Sequence, residues 1–110
     1  MHRVLIHPAG YDNLNDSIDR AFEMFPLAIT GKKVLLKPNV LRSSKAEEGI
    51  VTNPAVLKAV IKKVESYKPA SLIVGDNPGV FSYGANEESF SSTGLMEAAG
   101  GCYRNIGTES

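Results

Sequence analysis

A single cysteine, Cys102, stands in the whole chain, and it excludes an internal disulfide. That fits a reducing compartment. One thiolate also falls short of the roughly four that an iron–sulfur cluster requires. Net charge is missing too: twelve basic side chains offset twelve acidic ones. The balance offers nothing to nucleic acid or to an anionic membrane. No apolar run approaches the ~20 residues needed to span a bilayer. The opening "MHRVLIHPAG" has too short an apolar stretch for a signal peptide. Histidine is scarce: His2 is terminal and His7 has no second histidine at ligand spacing, which speaks against a histidine-based metal site. Neither a Walker pattern nor G-x-G-x-x-G is present, and there is no internal repeat or low-complexity tract. What remains is a chain of 110 residues, 43% hydrophobic and 22% charged, the balance of one soluble globular domain in the cytoplasm.

Strand-like and helix-like stretches alternate along it. "RVLIH" (3–7) is a short run rich in strand formers, closed by "PAG". In residues 11–26, Leu14, Ile18, Ala21, Phe22 and Phe25 recur at helical spacing, with Asn13 or Asn15 as cap and Pro26 as stop. "KKVLLK" (32–37) reads as a second strand, entered through Thr30-Gly31. Asn53 caps a second helix, Pro54 fits its first turn, and Val56, Leu57, Val60, Ile61 and Val64 form its stripe. "ASLIVGD" (70–76) is a third strand without polar alternation. The stretch 77–92 reads as a long loop in which Phe81, Tyr83 and Phe90 either form a lid or pack inward. Residues 93–100 form a short helix and "CYRNI" (102–106) a fourth strand. The order implies parallel strands with right-handed crossovers, an α/β three-layer sandwich on a mostly parallel sheet of about four strands in Rossmann-like order. Such a sheet has an exposed edge and no final helix to cover it. The expectation is therefore a fragment of a longer protein with its carboxyl-terminal region missing, or a domain that shields its sheet by self-association. A short disordered tail at "GTES" is the alternative.

In a parallel sheet the ligand site lies beyond the carboxyl ends of the strands. "HPAG", "KPNV" and "GDNPG" are three such ends, expected on one rim. Pro38 disfavours the helical region for the residue before it, so Lys37 stays extended and projects from the rim. Lys37 either holds a phosphate or carboxylate, with Asn39 just beyond, or pairs with Asp76 across neighbouring strand ends. Asp76, at the end of an apolar strand, suits a metal ligand or a catalytic base; it also suits capping its own turn. Asn77 and Gly79 follow it as ligand-binding or turn-forming residues. Thr52 and Asn53 open the second helix, where free N–H groups favour an anion, or else they cap it. Cys102 reads as a buried small residue rather than a nucleophile.

The segments "VLLKPNV", "GIVTNPAVLKAVIKKV", "LIVGDNPG" and "TGLMEAAG", in this order and spacing, resemble the domain-of-unknown-function family 362. The resemblance runs from about Val34 to Gly101. It implies emphasis on Lys37, Pro38, Asn39, Thr52, Pro54, Asp76, Pro78 and Gly79. Members are usually longer, and many carry ferredoxin-type cysteine motifs and are described as iron–sulfur proteins. This chain has no such cluster of cysteines, so that property does not carry over, and the resemblance names no substrate and no cofactor. The expected function is a small-molecule site at the rim, for an anionic or metal-bound ligand, with Lys37 supplying charge and Asp76 a base or metal ligand. The alternative is a non-catalytic redox-partner or assembly module that docks through its sheet edge.

Overall fold

A computed structural model describes residues 1–40, 43–76 and 84–106, and for 84–86 the backbone alone. Helix α1 covers Leu14–Met24. Asn13 precedes it, but its side chain accepts from the Gly10 N–H at 2.7 Å instead of capping the helix. The Phe25 N–H still reaches the Ala21 carbonyl; Pro26 has no N–H to offer, and the helix ends. No residue of α1 is fully buried. The helix packs on its neighbour through a half-buried stripe, with Phe22 stacked on Tyr67 at 5.7 Å and Asp19 paired with Lys63 at 2.9 Å.

Strand β1 (Lys33–Leu36) and strand β2 (Ser71–Val74) run parallel, with Lys33 opposite Ser71 and Leu36 opposite Val74. Between them α2 (Pro54–Ser66) makes the crossover. Its start is as the sequence suggests: Asn53 Oδ1 accepts from the Ala55 N–H at 2.9 Å, and Pro54 sits in the first turn. Leu57, Ile61 and Val64 are the buried part of its stripe, while Val56 and Val60 stay partly open. The helix closes on Lys68, a non-glycine residue at φ +54°, whose carbonyl accepts from Gly31.

Helix α3 (Gly84–Ser92) and the short α4 (Leu95–Ala99) complete the core. Val40, Phe90, Leu95 and Val74 are fully enclosed, joined by Val51, Leu57, Ile61 and Ala99. Thr93 ends α3 by donating to the Ser89 carbonyl at 2.6 Å. Gly94 follows at φ +82°, and a Cβ there would lie 3.2 Å from Pro54, so this turn requires glycine on both counts.

Three expectations are corrected. Residues 3–7 form no strand. Arg3 donates to the Met24 carbonyl and lies over the Phe25 ring, and His7 bonds Ser17. The segment therefore runs along α1 with Val4 and Ile6 largely exposed. Strand propensity without a paired neighbour does not make a strand. The fourth strand reduces to one bridge, Val74 to Tyr103, because a 3₁₀ turn at Gly100–Cys102 delivers the chain to β2 only at that point. The four strands and three layers in Rossmann-like order thus become, among the described residues, a mixed helix and strand fold on a two-stranded parallel sheet. Leu36, Leu72 and Val74 face its core, while Leu35 on the other face is 51% exposed. Finally, the supposed loop 77–92 contains α3. Its one buried large apolar residue, Phe90, packs inward at 4.8 Å from the Tyr103 ring, and a single anchor leaves no periodic stripe to read. Phe81 and Tyr83 lie outside the described residues.

Candidate functional site at the strand ends

The register that sets Leu36 opposite Val74 delivers Lys37 and Asp76 to the same end of the sheet. Lys37 Nζ lies 2.5 Å from Asp76 Oδ1. The two side chains differ sharply in setting: Lys37 is 64% exposed, Asp76 only 5%. Asp76 Oδ2 accepts from the buried Val40 N–H at 3.2 Å. Oδ1 has no directed hydrogen bond, so the lysine meets it as a charge. A carboxylate taken out of water in this way depends on its few partners. Among the described residues they are one ammonium and one peptide N–H.

The loop that carries Lys37 is clasped from the other side. The Asn39 N–H donates to Thr52 Oγ1 at 2.8 Å, and the Thr52 N–H returns to the Asn39 carbonyl at 2.8 Å. Asn39 Nδ2 reaches the Ile50 carbonyl at 3.1 Å. Asn39 and Thr52 therefore join two loops, and Asn53 caps α2. The N–H groups of Val56 and Leu57 both turn to the Asn53 carbonyl. The helix start thus has its donors engaged from within. Gly75 permits the approach to β2: a Cβ there would sit 2.7 Å from the Arg104 carbonyl oxygen.

The structure thus brings Lys37, Asp76, Asn39, Thr52 and Asn53 to one end of the sheet. It does not bring the "HPAG" end there, since His7 lies against α1. Asn77, Pro78 and Gly79 fall outside the described residues. Among the described residues no group of three His, Cys, Asp or Glu side chains is placed to hold a metal. Cys102 is half-buried, and burial, with the Glu65 charge second, pushes its thiol pKa up; a raised thiol is a poor nucleophile. Tyr103 is pushed up to about 12, chiefly by burial and then by the Glu87 carboxylate, and its buried hydroxyl has no aligned partner.

Sequence reasoning missed two parts of this site. Val40 gives its backbone N–H to Asp76, and no side-chain pattern signals a backbone donor. A cavity of about 210 Å³ opens beside Lys37, lined by Leu36, Pro38, Thr52, Val56, Leu57 and Val60 as well as the lysine. The only trace of it in the sequence is that the α2 stripe is wider than one buried face needs.

A family model, "Domain of unknown function (DUF362)", matches residues 34–106, which include Lys37, Asp76 and the whole clasp. No curated protein and no solved structure matches the chain.

Proposed function

The chain belongs to the DUF362 family, a domain of unknown function, and from that premise we propose that the ends of β1 and β2 form a site for a small anionic ligand. One observation carries this reading. The Lys37 ammonium is 64% exposed yet held at a single point by a carboxylate that is only 5% exposed. An ammonium has three N–H donors and, among the described residues, one charge contact here, which leaves donors for a ligand. In this reading Lys37 supplies the charge that binds the ligand. Asp76 positions Lys37 and is the group able to take a proton from a bound molecule. Asn39 and Thr52 keep the loop in place, and Asn53 keeps α2 in place. A metal on Asp76 is the weaker reading, because a metal on Oδ1 would displace Lys37, and among the described residues no group of three His, Cys, Asp or Glu side chains is placed to join it. A reducing cytoplasm is the setting that one unpaired cysteine suits.

The test is an NMR titration of the chain with acetate, sulfate and inorganic phosphate, for wild type and Lys37→Gln. Saturable shifts at Lys37 and its neighbours that vanish in the variant are expected. Equal shifts in both proteins would refute the site.

A second reading rests on a different observation. Leu35 is 51% exposed and Val4 and Ile6 more so, and among the described residues β1 pairs on one side only. An assembly module would add a strand to that edge, enlarging the sheet toward the four strands such folds favour. Light scattering behind size-exclusion chromatography decides it: a strict monomer at high concentration eliminates edge-mediated assembly.

A further inference from the structure

The cavity beside Lys37 extends from the rim onto α2, and it has a chemistry of its own. Leu36 and Pro38 form its wall on the β1 side, and Val56 and Val60 form the wall on α2. Lys37 and Thr52 are the polar residues that line it among those described. At about 210 Å³ it lies below the roughly 300–1,000 Å³ of pockets that take drug-sized ligands, so it suits a small molecule.

We propose that the ligand is a small monocarboxylic acid with a compact aliphatic body. Its carboxylate sits on Lys37 and its hydrocarbon part between Pro38, Val56 and Val60. This rests on the anion-site reading above and narrows it. Three observations select the class. Among the described residues Lys37 is the only cation lining the cavity, and it already answers to Asp76, which suits one negative charge and not two. The N-terminus of α2 offers no donors to a phosphate: Asn53 takes Ala55, Val56 and Leu57, and Pro54 has none. The walls are apolar and partly open, so an acid with no hydrocarbon body would leave them in water. Thr52 accepts from Asn39, and a hydroxyl that accepts one bond keeps its hydrogen to give to the second carboxylate oxygen.

The experiment is a methyl- and amide-detected NMR titration of the full chain with acetate, butyrate, hexanoate, hexanamide and inorganic phosphate. Hexanoate should bind on the order of tenfold more tightly than butyrate, at about fourfold per buried methylene, and butyrate more tightly than acetate. Hexanoate should shift the Leu36, Val56 and Val60 methyl signals. Hexanamide should bind at least tenfold more weakly, as should hexanoate to Lys37→Gln. Val60→Thr, close to isosteric and uncharged, should weaken hexanoate more than it weakens acetate, which has no chain to reach that wall. Both substituted positions are partly open; if either variant loses its native amide spectrum, the wild-type series and its methyl shifts decide alone. Carboxylates that depend on Lys37 without any dependence on chain length overturn this inference and leave the anion site standing. Phosphate binding more tightly than hexanoate does the same. Hexanamide binding as well as hexanoate, or no saturable shift with any probe, overturns both.

Discussion

Replacing Lys37 by Met and Asp76 by Asn, singly and together, measures how firmly the rim ion pair is closed. At the observed 2.5 Å, Coulomb's law gives about 1.7 kcal/mol at the dielectric of water and about 6.6 at an effective value of 20. Lys37 is 64% exposed, which places the pair near the water limit. Ordering a lysine side chain costs up to about 1.5–2 kcal/mol, and Asp76 Oδ1 gains no directed hydrogen bond to offset that. The expected coupling energy is therefore small, about 0–1 kcal/mol, as for other solvent-exposed pairs. The single variants should not be equal. Asp76→Asn keeps an oxygen for the Val40 N–H and should cost about 1 kcal/mol. Lys37→Met leaves a buried carboxylate on one hydrogen bond and should cost about 2. Urea unfolding of the four proteins, with unchanged slopes, gives the cycle. In 1 M salt, where the screening length is about 3 Å, the coupling should fall by half or more. A coupling above about 3 kcal/mol that ignores salt would refute the reasoning, because a pair so tightly closed has no ammonium to lend to a ligand.

Gly75→Ala should destabilise by about 1–3 kcal/mol, since its Cβ would meet the Arg104 backbone oxygen at 2.7 Å; chemical denaturation with little loss would show that residues 103–106 do not lie on β2. Lys68→Gly should stabilise by about 0.5–1 kcal/mol by relieving the left-handed backbone at φ +54°, read as a rise in melting temperature. Tyr103, held neutral up to about pH 12, makes stability pH-dependent at the alkaline end. Its folded pKa lies above the ordinary tyrosine value of about 10, so the native state binds the proton more tightly. That stability is present below pH 10 and lost as pH rises from 10 to 12. Denaturation midpoints should fall over that window, less steeply in Tyr103→Phe.

Local chemistry and its tertiary setting divide cleanly in this protein. Asn53, Pro54 and the stripe from Val56 to Val64 determine α2, because a cap and a helical period act within a few residues. The apolar runs at 33–36 and 71–74, joined by one helix, determine a parallel pair, and that pair alone puts Lys37 and Asp76 at the same end. This much of the site was readable from residues in order. The rest needed three dimensions. Residues 3–7 have the composition of a strand, yet a strand exists only where another backbone answers it, and the chain lays them along α1 instead. Helix α3 left no pattern because a single buried Phe90 anchors it. The sequence named a lysine and an aspartate; only the packing decided that one would stand in water and the other be sealed from it. It also decided that the open half of the α2 stripe would face the lysine across an apolar cavity. Burial and cavities are sums over segments distant in sequence, which is why no short stretch of residues announces them.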